Sequence, residues 1–223
     1  MNRVVLAGVV VVAGAAAVGA AAGLAGRSAS ATPPSIPTST SQVVDGLKGD
    51  AVWAPGKRPA PGFTLTDQSG RKVSLSALDN RPVLLTFLDA TCRNQCPIAG
   101  RQLGDAVSRL HGTEPPAIVV VDVNPLEDTP ANERAFAAHQ HWTGTRWYWL
   151  NGSRAKLSAV WKTYGIEVVT KRYIVQGSAP IVNVTHTIAV YLVSGGDVRA
   201  AFLPPLEPNE VAGDVRVLEG SGA

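Results

Sequence analysis

The sequence contains few of the side chains that bind soft metal ions. Its 223 residues include two cysteines, one methionine and four histidines. The cysteines, Cys92 and Cys96, stand four positions apart in the segment TCRNQCP, residues 91–97. Sulfur chemistry must therefore use this one pair, and three interpretations are open: a structural disulfide, a redox couple or two ligands of a metal site.

The sequence also lacks runs of basic residues. Lys and Arg number 20 against 17 Asp and Glu, and the formal net charge of +3 is spread along the chain. Nucleic-acid-binding domains usually concentrate their basic residues in a patch or stripe. We therefore expect no nucleic-acid partner.

Charged residues are missing from residues 4–26, a run of small apolar residues between Arg3 and Arg27. About 20 apolar residues suffice to cross a bilayer as a helix, whereas the apolar part of a cleaved secretion signal is usually shorter. We interpret residues 1–26 as an uncleaved single-pass anchor, with a cleaved signal ending at Ala29–Ala31 as the alternative. Both place the rest of the chain outside the cytoplasm, at the cell membrane or as a secreted or periplasmic protein. No cysteine stands directly after the run, which excludes a lipid anchor at that point.

Residues 27–60 are rich in Ser, Thr, Pro, Ala and Gly. Such a composition is typical of an extended linker because it buries little apolar surface. We therefore predict a flexible linker over 27–60 and a single domain over 61–223.

Within that domain, the order of elements predicts an α/β fold with a central mixed sheet flanked by helices. A hairpin is expected over 63–75, and further strands at 82–88, 117–123, 146–150, 185–193 and 197–203. Helices are expected at 98–110, 130–140, 153–164 and 207–218. The cysteines follow the first buried strand, at the edge where ligands collect in open α/β sheets.

The four-position separation of the two cysteines favours some of the three interpretations over others. If Cys92 and Cys96 share one helical turn, their Cβ atoms lie about 5–6 Å apart, whereas a disulfide prefers about 3.5–4.5 Å. A helix N-terminus lowers thiol pKa and so favours redox chemistry, but redox motifs of this fold usually enclose two residues, not three. Two thiolates select soft ions such as Cu(I) or Zn(II), and they then need a third ligand.

Few residues can provide the third ligand. Met1 precedes the apolar run, His111 follows a helix end, and His139 and His141 lie in a polar stretch. His186 instead stands at the entrance to a strand expected to pair beside the cysteine-bearing strand. We therefore favour His186.

Several segments, in order along the chain, resemble known families. Residues 61–87 resemble the opening of thioredoxin-like domains of the peroxiredoxin type. Four later segments resemble the Sco/SenC family more narrowly: CxxxCP at 92–97, VDVNPLEDTP at 121–130, LNGSR…KTYG at 150–165 and HTxxxYL at 186–192. The resemblance covers residues 61–218. A peroxidase is disfavoured because Asp89, not a threonine, precedes Cys92 by three positions.

The resemblance implies a membrane-tethered, outward-facing thioredoxin-like domain. It implies that Cys92, Cys96 and His186 bind a copper ion, Cu(I) or Cu(II), for the dinuclear copper centre of cytochrome c oxidase. The copper-bearing subunit of that oxidase is then the expected partner. Thr185 stands where the family often has an aspartate that supports the histidine. Asp122 and Asp128 are expected to act in loop structure or partner contact.

The same resemblance leaves an enzyme as the alternative. Cys92 and Cys96 would then be redox-active residues of a thiol-disulfide oxidoreductase that reduces cysteines of a partner protein, without stably bound metal.

Overall fold

The computed structural model describes residues 44–110, 115–174, 176–177 and 180–220, which all belong to one compact unit. The expected anchor at 1–26 and the expected linker up to residue 43 lie outside these ranges. Within them, no helix has both the length and the apolar character needed to cross a membrane.

A six-stranded mixed sheet forms the centre of the fold, in the order β1-β10-β9-β4-β5-β6. Its strands are β1 Ala51–Val52, β4 Val83–Leu88, β5 Ala117–Asp122, β6 Trp147–Leu150, β9 Val190–Ser194 and β10 Asp197–Phe202. β4, β5 and β6 run parallel, whereas β9 is antiparallel to β4 and β10 to β9. Every residue of β4 and β5 is buried, which explains their continuous apolar sequences. A separate hairpin joins β2 Thr64–Thr66 to β3 Lys72–Ser74.

Helices cover both faces of the sheet. They are α1 Leu75–Leu78, α2 Gln95–Ser108, α3 Pro130–His139, α4 Arg154–Thr163 and α5 Pro208–Gly220. Side chains of α2, α3 and α5, such as Leu103, Phe136 and Val211, pack into the core on one face. Leu78 of α1 and Leu157 of α4 pack into the core on the other face. The expected α/β sandwich with a central mixed sheet is confirmed.

Local sequence signals place the helix starts. The Thr129 hydroxyl accepts from the Asn132 amide and caps α3, which then begins at Pro130. The Ser153 hydroxyl caps α4 in the same way. After α4 the chain reverses at Gly165, whose φ of 71° favours glycine.

The domain begins earlier than the composition indicates. Leu47 is fully buried, β1 pairs with β10, and the Asp214 carboxylate accepts hydrogen bonds from the amides of Lys48 and Gly49. Residues 44–60 therefore pack on the domain, although we expected the linker to extend to residue 60. Leu47 and strand β1 provide this contact with the domain, inside a stretch otherwise rich in small residues.

The strand expected at 185–193 is wrong in its extent. The chain instead forms a second ribbon, in which β7 Val168–Tyr173 pairs with β8 Ile181–His186, and β9 starts only at Val190. β8 alternates between exposed and half-buried residues, whereas β9 is almost wholly buried. The two segments therefore belong to different sheets, and His186 lies at the end of β8.

Candidate metal centre

The cysteines lie in the connection between β4 and α2. β4 ends at Leu88 and α2 begins at Gln95, so Cys96 is the second residue of the helix and Cys92 precedes it. The two cysteines therefore do not share a helical turn, and the spacing argument against a disulfide does not hold. Both thiols are free, Cys92 half-buried and Cys96 buried, and their side chains hydrogen-bond to each other.

This hydrogen bond makes the two thiols unequal. Donation from Cys96, helped by the amides of Asn94 and Cys96, lowers the pKa of Cys92 to about 6 despite its partial burial. The bond to Cys92, together with burial, raises the pKa of Cys96. Since the two titrations are linked, the pair loses its first proton readily and its second reluctantly. At neutral pH it is a Cys92 thiolate beside a Cys96 thiol.

His186 reaches this pair from the end of β8. Its Nε2 lies 3.3 Å from the Cys96 Sγ, and its Nδ1 lies 3.1 Å from the Thr187 carbonyl oxygen. A carbonyl can only accept, so Nδ1 carries the proton and Nε2 directs its lone pair towards the sulfur. Burial also lowers the pKa of His186 and keeps the ring neutral.

The Thr187 carbonyl orients the His186 ring, the role that the resemblance assigns to an aspartate at position 185. Such a partner fixes the tautomer of a metal-ligating histidine. Sequence reasoning missed this contact because it depends on where β8 ends.

The other candidate ligands do not join the cysteines. His141 lies beside Arg101, whose guanidinium is 3.0 Å from its Nε2, and the same guanidinium donates to the His139 carbonyl. Met1 and His111 lie outside the described residues. His186 is the candidate third ligand that the fold brings to the pair.

The chemistry of these donors suits a soft ion. A thiolate, a thiol that can ionise and a neutral imidazole are the ligands that Cu(I) and Zn(II) prefer. In the described part of the chain, no three His, Cys, Asp or Glu side chains are arranged as a metal-binding group. Cys96 lies beside both Cys92 and His186 and has one S–H proton to donate to either of them, so a bound ion would replace both contacts.

A groove gives access to His186 from solvent. It has a volume of about 590 Å³ and is lined by Gln95, Ile98, His186, Ile188, Pro204 and Pro205. The Ile98 side chain is 50% exposed. A partner bound in this groove would contact the imidazole directly.

Polar side chains behind the cysteine turn hold its backbone. Asp89 accepts from the amide and the hydroxyl of Thr91, both at 2.7 Å, and Asn124 donates to Asp89 at 3.2 Å. Asp128 accepts from the Ala90 amide, so it holds the loop, as does Asp122 at the Asn124 amide. Sequence reasoning gave no structural role to Asp89 or Asn124. Their positions just after the parallel strands β4 and β5 could have indicated one.

The sequence of the chain matches a known protein family. A family model described as SCO1/SenC matches residues 54–218. No curated protein matches the chain in sequence.

Solved structures share the fold. Copper-bound ScoI of Bradyrhizobium japonicum is 22% identical with a TM-score of 0.59, and the match covers 72% of this chain and 99% of that one. Copper-bound yeast Sco1 is 20% identical with a TM-score of 0.59, covering 74% and 90%. BsSco, a member of the Sco family of cytochrome c oxidase assembly proteins with a disulfide switch, is 23% identical with a TM-score of 0.57, covering 75% and 96%.

Proposed function

The chain belongs to the SCO1/SenC family, and from this premise we propose that it is a copper-carrying assembly protein whose cargo ion binds to Cys92, Cys96 and His186. The contact between His186 Nε2 and Cys96 Sγ carries the proposal. It brings a neutral imidazole, with its lone pair directed inwards, to the one cysteine pair of the chain. Copper in the solved relatives from Bradyrhizobium japonicum and yeast supports the choice of ion.

We propose that the ion is destined for the dinuclear copper centre of cytochrome c oxidase. The family resemblance and the oxidase-assembly function of BsSco support this destination. The domain would then act outside the cytoplasm, attached through the anchor expected at residues 1–26.

Transfer to the copper-bearing subunit would proceed by ligand exchange. Each bond from this chain to copper breaks as a donor atom of the partner takes its place, and no electrons move. The groove beside Ile98 and His186 gives the partner access to the imidazole, so His186 is the ligand best placed to be exchanged first.

Copper affinity tests the three-ligand site. Reduced full-length protein in detergent competes for Cu(I) against a coloured chelator, with His141→Ala as the control for loss of a surface histidine. We expect His186→Ala to lose about tenfold or more in affinity, Cys96→Ser to lose more, and His141→Ala to match the wild type. Equal affinities of His186→Ala and the wild type would show that the imidazole is not a ligand.

A thiol-disulfide oxidoreductase is the second candidate, favoured by the half-exposed Cys92 thiolate beside a buried thiol. Cys92 would attack a partner disulfide and form a mixed disulfide. Cys96, on losing its proton, would then attack the Cys92 sulfur and release the partner as a dithiol, with two electrons leaving this chain. Rapid turnover on a disulfide substrate together with weak Cu(I) binding would favour this enzyme over the copper carrier.

A further inference from the structure

The β7–β8 ribbon presents one face to solvent. Side chains alternate between the two faces of a strand pair, and here every residue of one face is exposed, whereas most residues of the other are half-buried. We call the exposed set the ribbon face. It consists of Val169, Lys171, Tyr173, Ile181, Asn183 and Thr185.

Apolar side chains gather at the end of the ribbon farthest from His186. Tyr173 of β7 stands directly opposite Ile181 of β8, so the two side chains are neighbours on the ribbon face. They are 47% and 55% exposed, and Ile174, which follows Tyr173 in the chain, is 84% exposed. We call these three residues the ribbon tip. A contiguous group of exposed apolar side chains marks a contact with another protein or with a membrane.

The charge of the ribbon is positive. Lys171 lies on the ribbon face and Arg172 on the opposite face, and both are exposed. Residues 168–186 contain no Asp or Glu. Surfaces that bind anionic lipid combine lysine and arginine with exposed aliphatic and aromatic side chains, and tyrosine is enriched where proteins meet lipid headgroups. The composition of the ribbon therefore fits an anionic lipid surface.

The length of chain before the domain keeps lipid within reach of the ribbon. With residues 1–26 in the bilayer, as proposed, 17 residues separate this anchor from residue 44. A chain of this length spans at most about 60 Å even when fully extended. Tethering of this kind raises the effective concentration of a second binding surface, so a small contact area is sufficient.

We propose that the ribbon tip contacts a lipid bilayer, with Lys171 and Arg172 directed to its anionic headgroups. The inference rests on the proposed function only for the membrane attachment. Five steps along an extended strand separate Ile181 from His186, a distance of about 17 Å. The lipid contact would therefore hold the candidate metal ligand His186 close to the membrane surface.

Photocrosslinking at the ribbon tip tests this contact. Full-length protein with p-benzoylphenylalanine in place of Ile174 is reconstituted into vesicles of phosphatidylcholine and phosphatidylglycerol, and irradiation attaches the probe to the molecule that touches it. Mass spectrometry identifies the adduct as lipid or protein. The matched control carries the probe in place of Leu126, which is 65% exposed but precedes Glu127 and Asp128.

The yield of lipid adducts should depend on the two cations. We expect the yield at position 174 to exceed that at position 126 about tenfold or more, because only the first probe adjoins basic residues. The double variant Lys171→Gln, Arg172→Gln should lower the yield at 174 about threefold or more, as should vesicles of phosphatidylcholine alone. Every substituted residue is exposed, so the fold should be unaffected. An unchanged yield in both cases would contradict the role of the cations.

Four further outcomes would overturn the inference. Equal lipid yields at positions 174 and 126 would show that tethering alone brings lipid to any exposed side chain. Adducts to a second copy of the chain would make the ribbon tip a self-association surface. Absence of adducts at 174 in a chain that floats with the vesicles would remove the lipid contact and leave the membrane attachment intact. A chain that does not float would overturn the attachment as well, whereas the copper affinity of His186→Ala tests the metal site independently.

Discussion

Cys92 and Cys96 differ in acidity because one donates a hydrogen bond to the other. The pKa of Cys92 falls to about 6, while that of Cys96 rises. Cys92 is also the more exposed of the two sulfurs. Electrophiles and partner disulfides should therefore meet the Cys92 thiolate first.

The pH dependence of alkylation tests this asymmetry. In reduced, copper-free protein we expect the rate at Cys92 to rise with pH and to reach half its maximum near pH 6, because the thiolate is the reactive form. Cys96 should stay almost unmodified at pH 7. Mass spectrometry after a short exposure to iodoacetamide at each pH measures both residues.

Cys96→Ser is the informative comparison for this prediction. Serine replaces the weak S–H donor with a hydroxyl on a shorter bond. This alters the hydrogen bond to the Cys92 sulfur, so the Cys92 midpoint should change. A midpoint near that of an ordinary thiol in the wild type, about pH 8.5, would contradict the thiolate–thiol assignment.

Glu133 is a buried residue whose ionised form is disfavoured. It is fully buried, and burial raises its pKa to about 7 although Asn151 donates to it. In the unfolded chain it ionises near pH 4.5, so the folded state loses stability as the pH rises from there through about 7. We expect Glu133→Gln to be more stable than the wild type at pH 8, by up to about 3 kcal/mol, and equal to it near pH 4.

Denaturant unfolding at pH 4, 6 and 8 checks this dependence. Glu207→Gln, at an exposed glutamate, is the control for the loss of one carboxylate. A constant offset between Glu133→Gln and the wild type at all three values would exclude a titration effect.

At the residue scale, the sequence predicted His186 as the candidate third ligand but not the contacts of its ring. We chose His186 because the sequence contains few other donors that could join the two cysteines at a metal ion. The Nδ1 contact with the Thr187 carbonyl depends on where β8 ends, and the Cys92–Cys96 hydrogen bond depends on α2 starting at Gln95. Boundaries of this kind shift by a residue or two without a change in composition.

Among the elements, α2 carries Cys96. The glycines of α2 determine how closely this helix packs against the residues of and after α3. A Cβ on Gly104 would meet the Gln140 carbonyl oxygen and lie 3.1 Å from a Trp142 ring carbon. The same indole donates to the Gly100 carbonyl at 2.9 Å. Backbone contact between α2 and the segment after α3 therefore depends on the absence of a side chain at 104.

Alanine at two helical glycines should have opposite effects. Gly104→Ala forces α2 away from Gln140, and we expect it to lower the free energy of unfolding by about 1–3 kcal/mol. Gly213→Ala in α5 meets no atom within 4 Å, so it should stabilise the protein by about 0.5–1 kcal/mol through helix propensity. Thermal unfolding followed by circular dichroism measures both variants, and equal signs would contradict the packing argument.

The elements missed by the sequence reasoning are short or exposed ones: β1, α1, β7 and β8. β4 and β5 are long buried runs and were predicted nearly to the residue. The β7–β8 ribbon shows the period-two alternation of a strand, with Gly177 between its two halves. That signal predicts a hairpin, but the neighbouring apolar run at 190–193 led us to extend one strand back over His186.

At the scale of the whole molecule, metal binding and oxidation compete for the same two sulfurs. A ligand that binds only the folded, reduced state stabilises it by about 2.7 kcal/mol at 100 times its dissociation constant. A Cys92–Cys96 disulfide would remove both thiolates, and His186 alone would retain little affinity.

Thermal unfolding of four samples should show this competition. Excess Cu(I), held by a weak chelator, should raise the melting temperature of the reduced wild type by several degrees, since about 1 kcal/mol corresponds to roughly 2–4 °C for a domain of this size. The diamide-oxidised wild type, whose two thiols have given two electrons and two protons to the reagent, should show no shift, and reduction should restore it. Reduced His186→Ala should show a smaller shift than the wild type. A full shift in the oxidised protein would place the copper site elsewhere in the chain and would leave the two cysteines to disulfide exchange alone.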